Sequence, residues 1–462
     1  MVDPLSGLKG AILHPKGALA SNDLNNFQPR VGFAYNFRPQ WVLRGGFAIN
    51  TLDVYTNGLQ ENFEEYLATE ILQPVTGNPD VSFYLARGLP APIQFKVQPD
   101  GVSPFVGTNY SGRNVSYYDP RMRAPYVMNW NAGFQRQLAN SMLLELTYQG
   151  SAGVGLLNRW DINAIPLDIA NTFAQLDVIR RAAQNYKPYP QFGSVLHYSN
   201  YGHNTFHSAT IRFEKRYSHG LNLTSFFTLA KAIDNSSSDG AASGVTYYNR
   251  SLEKGRADYD VARTWTTYAT YELPLGRGRQ FLGQSSAVLN GLVGNWDLSV
   301  IQTLETGAPM SFSQTGSNNV YLPGTLRPDM APGKTYDDIK IPWDSHGPCR
   351  NNVACALPWA DINAFGQPDS FKAGTAGRNI VNAPGVLWHQ ASISKQFHYR
   401  ERTKFTLRFD FNGPFKRYFF NAPNSAVNFR SPASFGKVTS TQGSYSGIGG
   451  RTYIYAIFKL QF

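Results

Sequence analysis

The stretch Tyr453-Ile-Tyr-Ala-Ile-Phe-Lys-Leu-Gln-Phe462 decides the fold. Side chains alternate along a strand, so Ile454, Ala456, Phe458, Leu460 and Phe462 share one face, and Tyr453, Tyr455, Ile457, Lys459 and Gln461 share the other. Such a row of large apolar groups needs an apolar medium on one side, and the backbone needs pairing partners along both edges. An antiparallel, membrane-spanning β-barrel supplies both.

The same pattern recurs upstream. In 403–412, Phe405, Leu407, Phe409 and Phe411 alternate with Thr406, Arg408, Asp410 and Asn412. In 263–273, Trp265, Thr267, Ala269, Tyr271 and Leu273 alternate with Thr264, Thr266, Tyr268, Thr270 and Glu272. Further strands are predicted at 31–37, 41–50, 128–138, 142–150, 205–217, 221–232, 295–304 and 386–398. Brief turns at 38–40, 139–141, 218–220 and 399–402 alternate with long irregular stretches at about 51–127, 151–204, 233–262, 305–385 and 413–450. A basic, Gly-rich connection covers 274–294, and 171–184 has the composition of a short helix. A soluble sandwich has no reason to keep a short–long rhythm. An outer-membrane barrel does, with short turns inside and long loops outside.

The tryptophans are an independent check. Trp41, Trp130, Trp265, Trp296 and Trp388 all fall within the first few residues of a predicted strand. This topology puts Trp41 and Trp296 at the inner interface and Trp130, Trp265 and Trp388 at the outer one, as two aromatic girdles.

Composition agrees. Among 462 residues, 16% are charged and 14% aromatic, a balance suited to many strands and tight turns. No run of about 18 apolar residues exists, which excludes transmembrane helices. The net charge of +11 is scattered rather than clustered, so nucleic acid is not an expected partner. Solvated loops beside anionic lipid and lipopolysaccharide headgroups fit it better. Cys349 and Cys355 lie in a Pro/Asn-rich loop and are too few for a zinc site; they form a loop disulfide or remain two free thiols.

Met1-Val-Asp-Pro shows no signal peptide, which an exported barrel needs. About 11 long strands is an odd number, whereas single-chain bacterial barrels close with an even one. The expectation is therefore a fragment: a lead-in over 1–26, then a partial barrel over 27–462 whose earlier strands lie upstream.

No catalytic, metal or cofactor site is expected. His203 and His207 have helical zinc spacing but lead into a strand, where residues four apart are about 13 Å from each other. Asp258 and Asp260 read as a polar strand entrance, and Gly276-Arg-Gly-Arg279 as an inner turn without the helix that a phosphate cradle needs. Tyr117, Tyr118, Tyr247, Tyr248, Trp343 and Trp359 fall in predicted outer loops. There they either stack on a sugar or peptide ligand or hold the loops together.

Taken in order, Asn26-Phe-Gln-Pro-Arg-Val-Gly-Phe-Ala-Tyr35, Val42-Leu-Arg-Gly-Gly46, Pro125-Tyr-Val-Met-Asn-Trp-Asn131, Glu214-Lys-Arg-Tyr-Ser-His-Gly-Leu221, Tyr271-Glu-Leu-Pro-Leu-Gly-Arg-Gly278 and Gly374-Thr-Ala-Gly-Arg-Asn379 carry a resemblance. With the terminal Phe462, this succession resembles the C-terminal barrel of TonB-dependent receptors of the Oar-like kind, common in Acidobacteria-type genomes. It departs from them by an insertion near 411–421. The resemblance implies a 22-stranded barrel around an N-terminal plug, coupled through that plug to TonB. It also implies that Phe458, Leu460 and Phe462 are read by the barrel-assembly machinery. The implied function is ligand capture by the outer loops and energy-coupled uptake in the complete protein. The alternative is an adhesive or surface-structural barrel, and a secreted soluble enzyme ranks behind both.

Overall fold

The computed structural model describes residues 12–13, 23–52, 102–103, 113–166, 183–237, 246–315, 325–342, 357–368, 373–399, 403–413, 420–441 and 453–461. Its main body is one antiparallel wall of eleven long strands in chain order. They are β1 (Arg30–Arg38), β2 (Trp41–Thr51), β3 (Tyr126–Ala139), β4 (Met142–Asp161), β5 (Phe192–Ser218), β6 (Leu221–Asp234), β7 (Arg263–Glu272), β8 (Trp296–Glu305), β9 (Val386–Tyr399), β10 (Thr403–Asn412) and β11 (Tyr453–Gln461). Each strand pairs with its neighbours in sequence, and among the described residues β1 and β11 form the two free edges.

The register sorts the side chains by chemistry. One row running across the wall reads Tyr35, Leu43, Phe134, Leu146, Ile211, Phe227, Trp265, Leu304 and Leu387. The adjacent row, on the opposite face, contains Gln135, Glu145, Arg212, Phe226, Thr266 and Thr303. The apolar face therefore meets lipid and the polar face lines the interior. In β11, Ile454, Ala456, Phe458 and Leu460 pair with Phe411, Phe409, Leu407 and Phe405 and extend the apolar face. Phe462 lies outside the described residues.

The brief turns have the backbone that tight hairpins need. Gln40, His219 and Gly220 take positive φ, the hand that matches strand twist. Glycines on the apolar face make room for rings: a Cβ at Gly150 would sit 2.3 Å from the Trp130 ring, and one at Gly45 would sit 2.7 Å from Phe33.

Several expectations need correction. The stretch 151–204, read as a loop, is strand at both ends: β4 continues to Asp161 and β5 begins at Phe192. Gly150 and His207 stand opposite each other beside Trp130, at the outer girdle. Ten further residues of β5 lead up to His197, so this ribbon runs on about 33 Å along the strand past the level of Trp130. A short strand, Arg113–Tyr118, pairs in parallel with its outer end. The inner connection between β7 and β8 holds a helix, α1 (Ala287–Val293), where none was expected. The anticipated helix over 171–184 lies almost wholly outside the described residues.

Trp388 is also corrected. It stands opposite Thr303, on the polar face, while its neighbours Leu387 and His389 stand opposite Leu304 and Gln302 on the apolar one. Trp41, Trp130, Trp265 and Trp296 are on the apolar face, so they can share girdles and Trp388 cannot. Position along the strand suggested a girdle role, but alternation decides the face.

The long stretches between β8 and β9 and between β10 and β11 fold onto each other as a cap. Met310, Phe312, Ile339, Trp359, Ala364, Phe365, Val427, Phe435 and Val438 form one buried cluster. Two-residue ladders tie it together, including Ser313–Gln314 with Ala426–Val427 in parallel and Leu357–Pro358 with Lys437–Val438. At 411–421, where the insertion was noted, β10 keeps unbroken register with β9 and β11 up to Asn412, and 414–419 lie outside the described residues.

Candidate functional site

The aromatic residues of the outer loops are brought together only in part. The ribbon of β4 and β5 places His197 and Tyr201 above the girdle, and the 3₁₀ turn Tyr247–Glu253 packs against them. Tyr201 meets Tyr247 edge-on at 6.3 Å, and Tyr247 meets Tyr248 at 5.6 Å. The Arg250 guanidinium lies 4.6 Å above the Tyr201 ring and 5.8 Å from that of Tyr247. His197 Nδ1 and the Tyr201 hydroxyl are hydrogen-bonded at 2.6 Å. The backbones of Tyr117 and Tyr118 pair beside His197 and Tyr198, which brings their strand to the same place.

Burial sets the electrostatics of this cluster. It holds the His197 imidazole below the usual histidine range, with Asp119 pulling the other way. Burial and the neighbouring Tyr247 push the Tyr201 phenol up, so it remains a neutral donor at any physiological pH. The cluster offers ring faces, neutral hydroxyls and one guanidinium, a binding surface for sugars or for planar and anionic groups. Tyr248 is the open member, 42% exposed, and its hydroxyl donates to the Ala164 carbonyl at 3.3 Å.

Trp359 is not part of this surface. It is 4% exposed within the cap core, its indole N–H donates to the Asn382 carbonyl, and Lys340 Nζ lies 4.5 Å from its ring. An indole spent on packing cannot meet a ligand, so the loop-folding alternative holds for this residue. Trp343, Cys349 and Cys355 lie outside the described residues.

Sequence reasoning missed the ties between cap and wall. Arg378 of the cap pairs with the fully buried Asp234 at the end of β6 and also reaches the Asp234 carbonyl at 3.2 Å. Burial pulls the Arg378 guanidinium down to about 10. Arg327 meets Glu253 at 3.3 Å with both side chains nearly buried. Asp260 accepts from the Ala232 N–H at 2.8 Å and pairs with Arg256 at 2.7 Å; Asp258 accepts from Asn379 at 2.6 Å. The Asp258/Asp260 pair is thus structural. Buried pairs of this kind fix geometry more surely than they add stability.

A second polar feature lines the wall. Arg44, Glu145, Arg212 and Glu214 form a ladder across β2, β4 and β5, with Arg212 at 3.6 Å from Glu145 and 2.5 Å from Glu214. Arg44, Glu145 and Arg212 border an open cleft of about 450 Å³ with Thr147, Gln149, Thr210 and Phe226. Only the register could have revealed it, since these residues are up to about 170 positions apart in sequence. His207, once weighed as a metal ligand, hydrogen-bonds the Tyr148 hydroxyl at 2.8 Å and packs its ring against Trp130. Among the described residues, no three His, Cys, Asp or Glu side chains gather as a metal site.

The family comparison agrees with this architecture. The profile described as "Outer membrane beta barrel domain" matches residues 5–453. The chain belongs to that family. It is accordingly an outer-membrane β-barrel of a Gram-negative bacterium. No curated protein matches its sequence. Among solved structures it is similar to the outer-membrane transporter YddB from Escherichia coli, at 8% identity and a TM-score of 0.40, over 91% of this chain and 38% of that one. It is similar to BauA, the ferric preacinetobactin receptor from Acinetobacter baumannii, at 8% and 0.38, over 94% and 36%. A third is the FrpB iron transporter from Neisseria meningitidis, at 12% and 0.36, over 89% and 37%. The outer-membrane β-barrel chain thus spans well under half the length of these structures.

Proposed function

We propose that this chain is the C-terminal barrel portion, residues 27–462, of a TonB-dependent receptor of the Oar-like kind. The observation that carries the reading is the wall itself. Among the described residues, eleven lipid-facing strands leave β1 and β11 as free edges, and an unpaired edge cannot face hydrocarbon. Further strands completing a barrel of about 22 would cover both edges. A plug inside that barrel would contact the polar ladder of Arg44, Glu145 and Arg212 and link it to TonB. The outer aromatic cluster around Tyr201, Tyr247, Tyr248 and Arg250, beside the strand bearing Tyr117 and Tyr118, is the ligand-capture surface, suited to an oligosaccharide or peptide. Phe458 and Leu460, with Phe462, form the strand recognised by the barrel-assembly machinery. Lipid and lipopolysaccharide surround the wall.

Cells expressing the complete receptor that contains this chain test this with fluorescent maltoheptaose and a dansylated tripeptide. Binding that survives a proton ionophore, with accumulation abolished by it, is the expected result; accumulation indifferent to the ionophore overturns energy coupling. The ribbon, which runs on about 33 Å along the strand past the level of Trp130, favours the adhesive alternative. Loss of surface attachment on deleting the gene, with no uptake of either probe, would establish that role instead.

A further inference from the structure

The helix α1 sits on the lipid side of the inner rim. Its last turn is held by two residues of the apolar face. The Trp296 indole N–H donates to the Leu292 carbonyl at 3.0 Å, and Lys395 Nζ donates to the Leu292 carbonyl at 3.2 Å and to that of Gly294. Register proves the face: Trp296 stands opposite Lys395, and Lys395 opposite Leu407. Lys395 is almost fully buried there, between α1 and the rings of Trp296 and Phe397, each 5.0 Å from its ammonium. A cation on a lipid-facing wall is costly unless satisfied; here it serves the orphan carbonyls at a helix C-terminus.

On the opposite side, α1 is open. Val288 is 77% exposed and Leu292 68%, one turn apart on the same face, with Leu289 beside them. Phe281 and Leu282, in the same connection, are exposed as well. Asn290 points the other way and accepts from the Arg277 N–H at 2.6 Å, which anchors the helix to the turn. An apolar face this open is explained by what adjoins it. It continues the lipid-facing surface at the level of the inner girdle residue Trp296.

We propose that α1 is an interfacial anchor whose Val288, Leu289 and Leu292 insert into the acyl–headgroup boundary of the inner, phospholipid leaflet. The helix lies along the membrane plane like a collar. It fixes the depth of β7, β8 and β9 from below as the Trp130 girdle does from above.

The test uses the complete barrel that contains this chain, with its native cysteines, Cys349 and Cys355 included, replaced by Ser and a single cysteine introduced as Val288→Cys, Leu292→Cys or Asn140→Cys, the last in the turn between β3 and β4. Each is labelled with an environment-sensitive nitrobenzoxadiazole and reconstituted in phosphatidylethanolamine/phosphatidylglycerol vesicles. Heat-modifiable migration on a gel confirms that each labelled barrel is folded. Labels at 288 and 292 should shift to the blue and be quenched at least twofold more by shallow-brominated lipid than the label at 140. Equal quenching at all three sites, or quenching at none, overturns the proposal.

Discussion

In the wall, the large apolar side chains Val31, Phe33, Leu146, Phe227 and Phe458 point outward and are exposed; in the cap, Phe312, Ile339 and Val427 are sealed from solvent. One chain thus builds two bodies with opposite solvation. The wall leaves its apolar surface to lipid and depends on backbone pairing between neighbours, a local and repetitive arrangement. The cap buries its apolar groups as a water-soluble domain does, and it gathers them from distant stretches, pairing Ser313 with Ala426 and Leu357 with Val438. The ion pairs Asp234–Arg378 and Glu253–Arg327 join the two. The lesson is that the cap carries its own apolar core, closed off from the lipid-facing surface of the wall.

The largest expected effect separates the bodies directly. Phe312 packs against Phe365 at 4.8 Å and Phe435 at 5.8 Å in the cap core. Phe312→Ala should cost the cap about 3–5 kcal/mol, the usual loss for a truncated core phenylalanine. Limited proteolysis should then cut within 306–385 while the wall still migrates as a heat-modifiable barrel. Simultaneous loss of both would mean that cap and wall are one cooperative unit.

A smaller effect tests the wall's inside-out solvation. Leu146 lies midway along the spanning part of β4 in the apolar row, and Gln149 lies on the polar face of the same strand. Leu146→Arg should destabilise the folded barrel by about 2–4 kcal/mol, and Gln149→Arg should change it by less than about 1 kcal/mol. Urea titration of refolding into vesicles measures both. Equal costs would show that the two faces meet the same environment.

The same contrast explains what was legible in the sequence. The wall was, because alternation and turn length are local signals. Strand positions, the inner turns and the apolar-face placement of Trp41, Trp130, Trp265 and Trp296 followed from them. Trp388 did not, because Val386, Leu387 and Trp388 are consecutive large apolar residues and neither face stands out by composition. The ribbon was read as loop because Gly150, Gly153, Gly155 and Gly202 interrupt its apolar pattern; Leu156 and the side chain of Asn204 fill the space left at two of them. The cap core was invisible: residues such as Phe312, Ile339 and Val427 share no period, and only their distant pairings unite them. At seven residues, α1 is too short for helical periodicity to show. Within the candidate site, Tyr247 and Tyr248 were found by their place in a loop. Tyr201 and Arg250 became apparent only when β5 proved longer than expected.

The smallest expected effect concerns His197, on the ribbon that prolongs the wall. Its imidazole is half-buried and hydrogen-bonded to the Tyr201 hydroxyl, and burial holds its pKa below the ordinary histidine value of about 6.5. A histidine depressed in the folded state favours folding only while neutral. Its contribution is therefore complete above about pH 6.5 and is lost as pH falls through the lower, folded-state value. Between those two points the unfolded ribbon takes up the proton that the folded one refuses. Protection of the β4–β5 ribbon against hydrogen exchange should decline over that window, while the membrane-spanning rows below Gly150 remain unchanged. His197→Phe keeps a ring of similar size against Tyr201 and removes the titration, so it should flatten the pH dependence. If the decline persists in that variant, another group drives it, and His197 is not the acid-sensitive member of the ribbon.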